Sequence, residues 1–183
     1  MADPIFWSNV GVDVQTSLST AQTISAITKA STGVVTYVGA DPTNGDYIVV
    51  TANGMTQVND RIFRVANVNA GSNTFELEGE TTTDYGTFTS GTFQIITFGA
   101  SFNILQTIQV SGGEPEYADT TTIHDEVRKR APTVVSPLSL SSDALFDLAD
   151  PGFVEARKAY RAKTKRAIQL RFGTGSKMAM NGY

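Results

Sequence analysis

The sequence contains no cysteine, so neither a disulfide nor a thiolate zinc site is available, and sulfur says nothing about redox compartment. A single histidine, His124, excludes a polyhistidine metal site within one chain. No apolar stretch approaches the ~20 residues that a membrane helix requires. The opening Met1-Ala2-Asp3-Pro4 has no basic segment followed by an apolar run, so no secretory signal is expected. Cationic charge is also scarce. A formal charge of −4 and a pI near 4.9 argue against tight generic DNA binding. A long amphipathic helix is missing from most of the chain.

What is present is threonine, glycine and valine in short alternating runs, which favour strands. At 183 residues the chain suits one domain, or one domain with a small insert. A compact chain of this size buries roughly 70% of its unfolded surface and needs no staple. Charge divides it in two. Residues 1–100 hold three cations (Lys29, Arg61, Arg64) against nine acids, whereas residues 101–183 hold eleven cations and nine acids.

Ile5-Phe6-Trp7 followed by Val10, Val12 and Val14 predicts an early strand, and Gln15 to Gln22 a polar connector. Across 23–98 short strands alternate with turn chemistry. The predicted strands are 23–28, 33–38, 47–50, 61–68, 74–78 and 91–98, and Asp41 to Asp46, Asn53-Gly54 and Ala70 to Asn73 mark turns. Turns every ten to fifteen residues are the spacing of a small sandwich or barrel. Two longer strands are predicted within 103–123, around a turn at Gly112-Gly113-Glu114-Pro115. A charged loop at 124–133 and a returning strand at 134–142, with Leu138 and Leu140 alternating against serines, come next. The one helix is predicted at 151–163. Asp150 supplies an N-cap and Pro151 the first helical position, Arg157 to Lys165 favour the C-terminal end, and Phe153, Val154, Ala156 and Tyr160 form the apolar face. Residues 167–172 read as a strand, 173–176 as a hairpin turn and 178–183 as a last strand.

Catalytic chemistry is sparse. Thr122 and His124 stand at i, i+2 in the predicted strand, where a nucleophile and base on one face is conceivable, against a plain polar strand end. Asp147 and Asp150 are three apart without EF-hand spacing, and Asp41 to Asp46 does not match a calcium loop. Gly112-Gly113 lacks the following helix and Lys-Ser pair of a phosphate loop. The basic run from Arg157 to Arg166 could grip nucleic acid, form a solvated helix face or meet acidic neighbours, and Arg128-Lys129-Arg130 has the same three readings.

Residues 103–183 carry a specific resemblance. Tyr117 to His124 with its threonine run, the charged loop to Pro132, Leu138-Ser139-Leu140, Asp150-Pro151-Gly152 opening a short helix, Ala167 to Phe172, and a hairpin before Gly182-Tyr183 follow the order seen in major tail tube proteins of long-tailed (siphovirus-like) bacteriophages. A second resemblance covers 23–98. Ile24 to Ala30, Gly54-Met55-Thr56-Gln57, Arg61 to Val68, Asn73 to Leu77 and Tyr85 to Gly91 resemble a small β module named from ubiquitin-activating enzymes. The family pattern continues past the Gly-Tyr pair with a further strand and tail, whereas this sequence stops at Tyr183. That leaves truncation and a differently completed sheet as two readings.

The resemblance implies a mainly β fold: a tail-tube-type β-sandwich or barrel with one short α-helix over 1–22 and 99–183, and an inserted all-β module over 23–98. It implies a structural virion protein, not an enzyme, needing no cofactor and no metal. Its copies form rings, hexameric by family habit, stacked into a non-contractile tail tube that conducts DNA into the host. The implied partners are other copies of the chain, the tape measure protein, the tail terminator and the distal tail protein, with assembly in the host cytoplasm. Strands within 103–123, 134–142 and 166–172 would line or support the wall, with the helix outside it and the 23–98 module on the outer surface or between subunits. His124, Asp125, Glu126, Arg128, Lys129, Arg130, Arg157 and Arg161 are the expected contacts between rings or subunits. Glu114, Glu116 and Asp119 are the expected lumen acids, since each cation on a phosphate slows transit. An adhesin or decoration subunit binding the host surface is the alternative, and a hydrolase built on Thr122 and His124 a third reading.

Overall fold

The computed structural model describes residues 10–137 and 139–182. The predicted strand start at Ile5 to Trp7 lies outside them. The described chain is mainly β, with thirteen strands and one α-helix. It divides into two units, residues 1–103 with 148–183, and residues 104–147.

The first unit opens with β1 (Gly11–Leu18), β2 (Gln22–Ile27), β3 (Val34–Val38), β4 (Tyr47–Asn53), β5 (Arg61–Asn69), β6 (Thr74–Leu77) and β7 (Ser90–Phe102). Six of these close on themselves: β7 pairs β2, then β3, β6, β5 and β4 follow in order, and β4 returns to β7. Closure leaves no unpaired edge among them. Their inward residues, together with Met55 from the segment after β4, form one core that includes Val35, Ile48, Val50, Val65 and Leu77 and the rings of Tyr37, Phe75 and Phe93. Those rings lie 5.3–5.6 Å apart in tilted and edge-on pairs. The strand alternation predicted for 23–98 is therefore the inside and outside of a small barrel. Its Asp41 to Asp46 segment is a turn in which Asp46 accepts from the Thr43 N–H at 2.8 Å.

On the barrel exterior, Arg61 makes a two-pronged ion pair with Glu80, and the Tyr85 hydroxyl donates to the same carboxylate. Burial alone would raise the Glu80 pKa, but the bonds from Arg61 and Tyr85 outweigh it and hold the carboxyl below its usual range.

β7 is longer than predicted. Its first half belongs to the barrel. Its second half runs on through Gly99 to Phe102 and pairs with β1. β1 in turn pairs β12 (Arg166–Arg171), which pairs β13 (Lys177–Gly182), giving an antiparallel sheet with β13 at its edge. The expected connector at Gln15 is instead strand. At a register shift in β1 the buried Gln15 side chain accepts from the Ala167 N–H at 2.9 Å and replaces a ladder bond. Asp13, also buried, receives Arg171 from β12 and the Ser101 hydroxyl from β7.

Helix α1 (Pro151–Ala162) starts as the sequence demands. Asp150 caps it, Pro151 occupies the first turn, and Lys163 ends it in the left-handed conformation. Its buried face differs from the expected one. Gly152 and Ala159 face β1 and β7, while Tyr160 is 85% exposed. A Cβ on Gly152 would sit 2.5 Å from the Phe102 ring, so the absence of a side chain there sets how close the helix approaches β7.

Candidate functional site

Residues 104–147 hold four strands: β8 (Leu105–Ser111), β9 (Pro115–Asp119), β10 (Arg130–Val135) and β11 (Ser139–Ala144). They make two antiparallel ribbons, β8 with β11 and β9 with β10. Between the ribbons the Gly113 N–H donates to the Ser136 carbonyl and the Ser136 N–H to that of Glu114, at 3.1 and 3.0 Å. Gly112 and Gly113, both at positive φ, turn the outgoing chain there. The returning chain breaks at Ser136-Pro137, so the strand predicted at 134–142 is two strands. Leu138 lies outside the described residues.

Among the described residues, each of these strands pairs on one side only. An isolated two-stranded ribbon is marginal in water, and its unpaired N–H and C=O groups form a template for another chain. The apolar side chains are uncovered too. Tyr117, Val134, Val135 and Leu145 are exposed.

The faces of β8/β11 are sharply different. Residues directly opposite in an antiparallel pair share a face. The register places Ser111 opposite Ser139, Gln109 opposite Ser141 and Thr107 opposite Asp143, and these six make one wholly polar face. The Thr107 hydroxyl donates to Asp143 at 2.7 Å, and a shallow hollow of about 130 Å³ there is lined by Thr107, Gln109, Ser141, Ser142 and Asp143. The other face carries Val110 opposite Leu140 and Ile108 opposite Ser142. Neither strand contains a lysine or arginine.

In β9/β10, Asp119 stands opposite Arg130 and Tyr117 opposite Pro132. Glu116 and Asp119 are an odd number of positions apart in one strand, so their side chains leave opposite faces. The Thr121 bonds hold the Asp119 carboxyl below its ordinary range. Glu114 lies just before the strand and is exposed.

The tip, residues 120–129, is a stapled turn rather than the end of a strand. Asp125 pairs with Lys129 and accepts from both the N–H and the hydroxyl of Thr122, each at 2.9 Å. These partners, Lys129 first, lower the Asp125 pKa. The Lys129 N–H donates to the Thr121 hydroxyl at 3.0 Å. Ile123, 96% exposed, and Val127 project from this turn. The predicted charged loop at 124–133 is shorter, since Arg130 to Thr133 belong to β10. Because β9 ends at Asp119, Thr122 and His124 do not share a strand face. The Thr122 hydroxyl serves Asp125 and accepts only the His124 backbone N–H, at 3.4 Å. No nucleophile and base pair is assembled there.

His124, Asp125, Glu126, Arg128, Lys129 and Arg130 thus fall together at the end of one ribbon. Arg157 and Arg161 belong to the other unit, on α1. The basic run containing them is partly spoken for. Lys158 pairs with Glu155 at 2.6 Å, Lys165 pairs with Asp60, and the Arg157 guanidinium lies 6.0 Å from the Phe153 ring centroid. The feature that sequence reasoning missed is the polar face of Thr107, Gln109, Ser111, Ser139, Ser141 and Asp143. Its signal was there in two alternating segments, but only their register shows that the polar positions coincide.

No curated protein matches the chain. A family model described as phage tail tube protein (TTP) matches residues 53–183, from the end of β4 through β13. With most of its length matched, the chain belongs to the phage tail tube protein family, whose members are structural components of the virion tail and not enzymes.

Proposed function

We propose that copies of this chain join edge to edge into rings, hexameric as the family resemblance implies, and that the rings stack into the non-contractile tail tube that conducts DNA into the host. One observation carries this reading: among the described residues, two ribbons, β8/β11 and β9/β10, have outer edges that no strand pairs, and their Tyr117, Val134 and Val135 side chains are exposed. Side-by-side addition of ribbons removes such edges when the circle closes. The contacts are head-to-tail, which close into a ring by rotation and extend into a filament by repetition along an axis.

In this reading the stapled tip meets the next ring through His124, Asp125, Glu126, Arg128, Lys129 and Arg130. Its preformed turn supports that role, because a contact element already ordered loses less entropy on binding. Arg157 and Arg161 on α1 contact a neighbouring subunit, and of the expected lumen acids Glu114, Glu116 and Asp119 the lumen takes Glu116 or Asp119 but not both, since these two leave opposite faces of β9. The tail tube domain consists of 1–22 and 99–183, and the 23–98 module, of the kind named from ubiquitin-activating enzymes, sits at the tube exterior or between subunits. The tape measure protein, the tail terminator and the distal tail protein are the chain's partners besides other copies of it.

Negative-stain electron microscopy of the purified chain over a concentration series tests the proposal. Hollow tubes of uniform diameter with a regular axial repeat are expected. A chain that sediments as a monomer at the highest concentration, and that antibody labelling fails to find along the tail shaft, overturns it.

A further inference from the structure

Resting on the assembly reading just given, we infer that the groove between α1 and β12 is a socket for a second copy of this chain, and that its occupant is the neighbouring copy's segment from Ala144 to Leu148. Leu145 and Leu148 seat on the apolar floor, and Asp147 lies toward Arg166. A hollow of about 130 Å³ separates Ala156 and Tyr160 of α1 from Ile168 of β12, and Phe102 and Arg166 also line it. Residues opposite in an antiparallel pair share a face. The apolar surface of Ile168 therefore continues onto Met180 in β13, and that of Leu170 onto the exposed Met178. A wider recess shares Ala159 and Tyr160 with the hollow and adds Arg161 and Lys163.

Two features of this groove cost free energy while the chain is alone. The Tyr160 ring stands in water. The Nε–H of Arg166 is buried without a hydrogen-bond partner among the described residues, a cost that an incoming acceptor removes. Charge narrows the choice of occupant. Lys158 and Lys165 of the basic run are already paired, whereas Arg161 and Lys163 meet no acid among the described residues. The occupant therefore brings apolar side chains together with acids. Residues 143–148 contain two acids, Asp143 and Asp147, and no cation, and Leu145 and Leu148 are exposed. The start of this segment is also held in place. Ala144 stands opposite Leu105, and the Leu145 N–H donates to the Ile104 carbonyl at 2.9 Å. A segment already ordered loses less entropy on docking. A head-to-tail contact needs two complementary patches on different parts of one molecule, and this socket and this segment make such a pair. A nucleic acid backbone would match the cations but leave the apolar floor in water.

The natural absence of cysteine makes the test direct. A double variant, Leu145→Cys with Tyr160→Cys, is assembled into tubes and mildly oxidised. A disulfide forms only between close, correctly aimed cysteines. A ladder of linked chains is expected on a denaturing gel, about tenfold or more stronger than from Leu145→Cys with Val38→Cys, which places the second thiol on the exposed barrel surface. A ladder no stronger than that control overturns the inference. So does a disulfide formed within single chains below the polymerisation threshold, which would seat the segment in its own groove. Arg166→Met gives a second readout, since it removes the unpaired donor and keeps an apolar stem. Its urea midpoint is expected to equal or exceed that of the parent, while the protein concentration at which tubes form rises about tenfold. Leu145→Ser is expected to raise that concentration in the same way. An unchanged threshold in both variants overturns the inference. Absence of tubes from the unmodified chain would instead sink the assembly reading on which it rests.

Discussion

The backbone N–H of Asn103 donates to one carboxylate oxygen of Asp150 at 2.9 Å, while the other oxygen accepts from the Phe153 N–H at 3.1 Å. One buried side chain therefore caps α1 and fixes the end of β7, at the two points where the chain leaves for residues 104–147 and returns. Replacing Asp150 with Ala orphans a helix-end donor and the Asn103 N–H together, with an expected cost of about 2 kcal/mol. Asp150→Asn keeps one acceptor oxygen and is expected to recover part of the loss. Urea unfolding checks both, as a lowered midpoint at unchanged slope.

Gly152 is the second lever at this junction. Alanine favours helix over glycine by up to about 1 kcal/mol, which taken alone predicts stabilisation. The added Cβ would meet the Phe102 ring at 2.5 Å, and overpacking of this kind costs about 1–3 kcal/mol. Gly152→Ala is therefore expected to destabilise, and Phe102→Leu in the same chain to relieve part of the penalty. Thermal unfolding of the two single variants and the double variant measures the coupling, and additive effects would show that the ring is not the obstacle.

The helix start was legible because Asp150-Pro151 acts locally, and the barrel strands because alternation of apolar side chains needs no knowledge of their partners. The helix face was not. Ala156 and Tyr160 at i, i+4 suggest one stripe, yet the closest approach uses the smallest residues, Gly152 and Ala159, and turns Tyr160 outward. Gln15 to Leu18 look like a connector because they are polar, but Gln15 substitutes for a backbone partner at a register shift, which no local pattern announces. At the candidate site, the charges of 124–130 were visible as a cluster. The polar face of β8/β11 depends on a register between segments about thirty residues apart, and turn chemistry at Gly112-Gly113 does not fix it.

The barrel core carries a pH signature. The Tyr37 hydroxyl donates to Asp41 at 2.7 Å, and its pKa is pushed up to about 12, chiefly by burial and then by the bond to and charge of Asp41. The folded state therefore holds this proton in a range where the unfolded chain, with an ordinary tyrosine near 10, releases it. Protons bound by the folded form but not the unfolded one make stability fall as pH rises. The contribution is whole below about pH 10 and is expected to be lost between about 10 and 12. Denaturant midpoints measured across that range should decline for the unmodified protein and decline less for Tyr37→Phe. Parallel curves would remove Tyr37 as the cause.

The tip of the ribbon separates folding from assembly. Ile123 and Val127 project from a turn that Asp125, Lys129 and Thr122 already hold, so neither apolar side chain contributes to the fold of the isolated chain. Replacing both with serine is expected to leave unfolding midpoints within about 0.5 kcal/mol of the parent. If the tip docks on a neighbouring ring, each side chain loses about 1.5–3 kcal/mol of apolar burial when replaced. The double variant should then need a protein concentration at least about tenfold higher to polymerise, since each 1.4 kcal/mol is a factor of ten. Light scattering against concentration measures that threshold. An unchanged threshold would free the tip from any axial role, whereas a raised threshold with unchanged unfolding marks it as a contact between rings. Lys129→Ala, which removes the ion pair to Asp125 and one charged contact of the tip without removing an apolar group, should raise the threshold less and make it less sensitive to salt, because a screenable charge interaction is lost.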